Sequence, residues 1–274
     1  MPAILMSMMY RNTWPENYAD ALAAVIRGDA IFSENLAPML ASLNPAKVSR
    51  LAGAMSNVIW DVHHREFYVS AKSASALGAL VANMVASRPE LAGVFSVSPN
   101  GYVREWAVRQ WTYIGSPFEL ALLLIRLNDW VAPVRATARK TLGRLLAQPR
   151  AQSGLTSDTI LGCMDILLRP ERLGRAGPKQ IRALRELLVL DDMPMALVDF
   201  ITETPGDAAP RYLKLGLRQG LLMDALPYLA MSARHAEVRR VALHACLSGQ
   251  LVWRSGKALR SRAITVDFDR ETFH

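Results

Sequence analysis

One phrase recurs along this chain, and it limits the fold more than any other feature of the sequence. Val103-Arg104-Glu105-Trp106-Ala107, followed by Trp111 and Ile114, returns 31 residues later as Val134-Arg135-Ala136-Thr137-Ala138, followed by Leu142, Gly143 and Leu145. A third copy, Val238-Arg239-Arg240-Val241-Ala242, lies near the C-terminal end. A recurring helical unit of this kind cannot bury its apolar face alone and must stack on its neighbours. The repetition therefore constrains architecture and leaves the chemistry open.

The agreement extends upstream of each valine. Leu91, Leu122 and Leu226 stand twelve residues before Val103, Val134 and Val238, and Val94, Ile125 and Leu229 stand nine before. An i, i+3 pair shares one face of a helix. Polar breaks follow at Ser98-Pro99-Asn100-Gly101, Asn128-Asp129 and Ser232-Ala233-Arg234-His235. Each copy thus predicts helix, turn, helix, with the Val-Arg phrase opening the second helix. A worn copy runs over residues 34–60, where Leu36 and Met39 precede Val48 and Ala52, Ser56 and Ile59 follow. A weaker one runs over 196–220, through Val198 and Ile201 to Pro210-Arg211, with Lys214 where alanine stands elsewhere.

The second copy resembles the HEAT-repeat family, whose second helix reads Asp, a few residues, then Val-Arg-x-x-Ala-x-x-x-Leu-Gly-x-Leu. Asp129, Val134, Arg135, Ala138, Leu142, Gly143 and Leu145 match it position by position, whereas Trp111 and Cys246 replace the leucine in the outer copies. The resemblance implies an all-α protein, an α-solenoid in which HEAT-like helix-turn-helix repeats form a superhelical array. The array would occupy residues 1–250, clearest at 90–147 and 222–250, with 251–274 as a C-terminal tail or the start of a further repeat. Arg104, Arg135 and Arg239 lie about 100° around the helix from each valine, at the edge of the apolar stripe. There they are expected to join adjacent repeats through carboxylates such as Asp129 or through turn carbonyls.

Other local signals are consistent with helices. Thr13-Trp14-Pro15-Glu16 reads as a helix start, and Asn44-Pro45, Ser116-Pro117, Gly177-Pro178 and Thr204-Pro205 punctuate likewise. Gln148 to Leu155 is the one stretch with linker composition. Strand character is confined to Ile264-Thr265-Val266-Asp267-Phe268, in a tail that is first basic (Arg254, Lys257, Arg260, Arg262) and then acidic (Asp267, Asp269, Glu271).

The 274 residues are 51% hydrophobic and 20% charged, which excludes a disordered chain. No apolar run reaches the roughly 18 residues of a membrane span; Leu120 to Ile125 is stopped by Arg126. Met1 to Arg11 lacks the marks of a signal peptide. Cytoplasm is the expected compartment and no membrane partner is expected. Cys163 and Cys246 read as buried reduced thiols.

Catalytic patterns are sparse. Asp61-Val62-His63-His64-Arg65-Glu66 is the densest cluster of possible metal ligands, but adjacent histidines on a helix point apart. No metal or other cofactor is expected. There is no Gly-x-x-x-x-Gly-Lys-Ser/Thr loop and no Gly-x-Ser-x-Gly elbow. HEAT-like hydroxylases use repeated His-Glu dipeptides, and this chain has none. HEAT-like DNA glycosylases use tryptophans and an aspartate on a basic face. Ile59-Trp60-Asp61 and Asp129-Trp130 resemble that arrangement loosely, whereas Trp111 stands at the core-leucine position, and an alkylated-base glycosylase is a third functional reading.

A net charge of +8 and a pI near 9.8 favour anionic partners. In HEAT arrays the second helices line the concave face. Positions five and six beyond each valine project from the core stripe: Val108 and Arg109, Arg139 and Lys140, Leu243 and His244, with Arg144 at the edge. A second basic stretch comprises Arg169, Arg172, Arg175, Lys179, Arg182 and Arg185. These surfaces point first to a non-catalytic scaffold holding a protein partner with an acidic or extended segment in its concave groove, and second to DNA or RNA binding.

Overall fold

A computed structural model describes residues 38, 40–53, 55–56, 74–169, 173–188, 190, 192–204, 208–218, 220–255 and 258–263. The expected helix start at Thr13, the histidine pair at 63–64 and the alternating segment 264–268 lie outside them. The described chain is helical, with one hairpin at its C-terminal end. Among these residues no helix is long and apolar enough to cross a membrane.

The helices are α1 (Ala74–Ser87), α2 (Leu91–Phe95), α3 (Gly101–Gln110), α4 (Pro117–Arg126), α5 (Ala132–Leu146), α6 (Arg150–Ser153), α7 (Ser157–Leu161), α8 (Met164–Leu167), α9 (Pro178–Leu188), α10 (Met193–Glu203), α11 (Ala208–Arg218), α12 (Leu226–Ser232) and α13 (Ala236–Ser248). In the worn N-terminal copy, Pro45–Lys47 forms a 3-10 turn that runs into helix over 48–53 and 55–56. Two compact units divide the chain: residues 1–166 with 170–184, and residues 167–169 with 185–274. The division falls inside α9, not at Gln148–Leu155. That stretch is packed: Leu155 is buried, and Ile114 N donates to Ser153 O at 2.9 Å. Gly154 closes α6 with φ +72°, where a Cβ would strike the Ile114 carbonyl.

In the first unit the helix pairs α2–α3 and α4–α5 stack in two layers, α2 against α4 and α3 against α5, while α1 packs on α2 and α3. The valines and alanines of the phrase are responsible, because Val103, Ala107, Val134, Ala138, Leu142 and Leu145 are all fully buried. Small alanines at these contacts let the helix axes approach. Every residue of α4 from Phe118 to Leu124 is buried, as suits a helix covered on all sides. The 3-10 turn at Pro45–Lys47 lies against α4, a neighbour that a strictly linear array would not give it.

The second unit repeats the scheme, with pairs α10–α11 and α12–α13, α10 against α12 and α11 against α13. Val238 and Ala242 are fully buried. In α11 the buried stripe is Ala209, Leu213 and Leu217, one residue earlier than alignment on Pro210-Arg211 implies. One residue is a 100° rotation, and leucine at 213 outcompetes Lys214 for the interior. Pro210 thus occupies the place of the repeated arginine. Beyond α13, strands β1 (Gln250–Ser255) and β2 (Ala258–Ala263) pair antiparallel from Gln250↔Ala263 to Ser255↔Ala258. Sequence reading placed no strand there, although Leu251-Val252-Trp253 before Ser255-Gly256 carries the signal.

Candidate functional site

Helix termini leave backbone carbonyls without intrahelical partners, and the repeated arginine answers that need. Arg104 Nη1 donates to the carbonyls of Ser98 at 2.8 Å and Pro99 at 2.9 Å, in the turn that opens α3. Arg135 Nη1 reaches Asp129 O at 2.6 Å, and Arg239 Nη1 reaches Ala233 O at 2.6 Å and Arg234 O at 2.9 Å. Each arginine folds back five or six residues and clasps the turn of its own repeat, where a cation also meets the negative end of the preceding helix. Sequence reading had them joining adjacent repeats. Arg104 alone does so as well. Its Nε and Nη2 grip both Asp129 oxygens at 3.0 Å, and Arg126 Nη1 adds a third contact at 2.8 Å.

Arg104 and Asp129 are only 3% and 4% exposed. Asp129 Oδ1 also accepts from Val131 N at 2.9 Å, in the turn that opens α5. Trp130 lies over Arg104, ring centroid 5.3 Å from Cζ, and leaves 70% of its own surface exposed. Asp129 is thus an anchor, closed to any substrate.

The expected concave residues have separate fates. Arg109 pairs with Glu105 at 2.7 Å and stacks 4.9 Å from the Trp106 ring. Arg144 Nη2 donates to Arg109 O at 3.0 Å and Trp111 O at 2.5 Å, so it ties α5 to the end of α3. Thr141 Oγ1 donates to Val108 O at 2.8 Å along the same seam. These bonds were not legible in sequence, since their partners are backbone atoms 33 to 35 residues away. Lys140 is exposed, Arg139 half-buried, and neither makes a hydrogen bond or ion pair among the described residues. His244 is exposed on α13, in the other unit.

The second basic stretch is divided. Arg175, Lys179 and Arg182 belong to the first unit, Arg169 and Arg185 to the second, and Arg172 lies outside the described residues. Lys179, Arg182 and Arg185 occupy the exposed face of α9, opposite Ala183, Leu184 and Leu187. Within the second unit, Arg169 meets Pro210, Arg211, Lys214, Leu215 and Arg218 around a partly open cavity of about 350 Å³. Sequence reading missed this site because it set α11 one residue out of register.

No family model matches the chain, and no curated protein or solved structure matches it.

Other reactive groups are quiet. Cys163 and Cys246 are free and buried. Burial raises both thiols above their ordinary value, and Cys163 Sγ donates to Pro117 O at 3.0 Å. Glu119 is buried within α4, accepts from Gly115 N at 2.6 Å, and its carboxyl is pushed up to about 7, mainly by burial. Ser116 Oγ accepts from Glu119 N in return, so the acid is part of a helix start. Among the described residues no three His, Cys, Asp or Glu side chains gather as metal ligands. Asp61 to Glu66 lies outside them.

Proposed function

We propose that the chain is an array of HEAT-like repeats, an α-solenoid, working in the cytoplasm as a non-catalytic scaffold for an acidic or extended protein segment. One observation carries this reading: the repeated arginines are consumed by their own turns, while Arg139 and Lys140 on α5 keep their charge for an outside partner. Cations left unmatched on a helix that is otherwise tightly tied to its neighbour form a rigid, positively charged face. Such a face draws acidic segments and fixes their register. The two-layer stacking within each unit supports the solenoid.

Titration with a glutamate-rich peptide tests the scaffold. Saturable binding, weakened in Arg139→Glu/Lys140→Glu, supports it, and equal binding by both proteins removes it. The second reading is nucleic acid, supported by the exposed indole of Trp130 in the same unit as these cations, since bases stack on aromatic rings. Binding of mixed-sequence DNA that falls steeply with salt would favour it. The glycosylase reading loses Asp129 to its ion pairs.

A further inference from the structure

The cavity of the second unit has a composition that the repeat pattern does not require. Arg211, Lys214 and Arg218 follow at i, i+3 and i+7 along α11, on the face opposite the buried Ala209, Leu213 and Leu217. Arg169 enters from a distant part of the chain, and Pro210 and Leu215 supply apolar walls.

Two features set this cluster apart from a solvated helix face. On α3 and α13 a surface arginine is matched by a carboxylate one helical turn away, Arg109 by Glu105 and Arg240 by Glu237, each at 2.7 Å. Residues 208–218 contain no Asp or Glu, so like charges stand at i, i+3 and i, i+4 spacings, which disfavours the helix. The second feature is concavity. Cations gathered around a cleft with apolar walls focus their field on whatever enters it. Glu237 Oε1 does touch Lys214 Nζ at 3.2 Å, but Arg240 holds both Glu237 oxygens at 2.7 and 2.8 Å. Arg169 and Arg218 make no ion pair among the described residues.

We propose that this cavity binds the phosphate groups of a small soluble polyphosphate. The guanidinium forks of Arg169 and Arg218 suit phosphate oxygens, which they can engage in pairs, while Arg211, stacked 5.6 Å from the Tyr212 ring, and Lys214 add positive charge. The volume equals about a dozen waters at roughly 30 Å³ each, enough for two or three linked phosphates. This site is independent of the protein-partner reading, whose Arg139 and Lys140 lie in the other unit.

Calorimetric titration of the full chain with inorganic triphosphate, at fixed ionic strength, tests the proposal. Saturable one-site binding is expected, weakened about tenfold by Arg169→Gln or Arg218→Gln and unchanged in Arg139→Gln/Lys140→Gln. Arg218→Lys should fall between, because it keeps the charge and loses the fork. Citrate at the same ionic strength should bind more weakly. The proposal is overturned by absence of saturable binding, by equal loss in all variants, or by citrate binding as tightly as triphosphate. It also fails if Arg169→Gln and Arg218→Gln weaken binding of a short mixed-sequence oligonucleotide while triphosphate does not bind.

Discussion

At the scale of the residue, the same arginine does different amounts of work in different copies. Arg135 and Arg239 exchange water for turn carbonyls, and replacing either by methionine should cost about 1 kcal/mol. Arg104 is buried and holds a buried carboxylate, so Arg104→Met should cost about 3–5 kcal/mol by leaving Asp129 short of a partner. Urea unfolding of the three variants measures the contrast, and equal losses would refute it. Glu119 sets a second test. Burial lifts its carboxyl from an ordinary 4.5 to about 7, so the folded chain holds that proton more tightly than the unfolded one. Its contribution favours folding at low pH and is lost as pH rises from about 4.5 through about 7. Glu119→Gln keeps an acceptor for Gly115 N and should flatten that part of the stability profile, as denaturant midpoints at a series of pH values would reveal.

At the scale of the element, the approach of α1 to α3 depends on one glycine. A Cβ at Gly78 would collide with the Trp106 indole, so Gly78→Ala should destabilise by about 1–3 kcal/mol, and adding Trp106→Leu should recover part of that loss. Thermal midpoints of the single and double variants decide this. The buried stripes of α3, α5 and α13 were legible because valine and alanine recur at helical period, a pattern that survives without knowledge of neighbours. The Arg104–Asp129 pair was half legible: both residues stood out, but which turn the arginine would clasp depends on how the chain bends. The register of α11 misled because Pro210-Arg211 imitates Val-Arg while Leu213 buries better than Lys214. The cavity was lost with it. Counted from Ala209, Lys214 and Leu215 fall at offsets five and six, the positions expected to carry recognition.

At the scale of the whole molecule, the two compact units contain separate apolar cores built from the same helix-pair scheme. Unfolding should therefore proceed in two steps. By scanning calorimetry, Arg104→Met should lower one transition and Val238→Ala the other; a single transition shifted alike by both would show that the units unfold together. The basic residues first grouped by sequence are shared out between these units, so charge counted along the chain did not foretell a common surface. The two sets of cations proposed for recognition, Arg139 with Lys140 and the cluster around α11, belong to different units.

The arginine clasp also bears on how such a chain can change its length. A joint that closes on its own turn, as Arg239 does, leaves packing and the Lys214–Glu237 and Arg234–Glu203 pairs to tie the third copy to the helices before it. The first copy adds a side-chain bond to the next. Because Arg104 holds an aspartate 25 residues ahead, removing or replacing the second copy alone would leave a buried guanidinium in the first without its carboxylate.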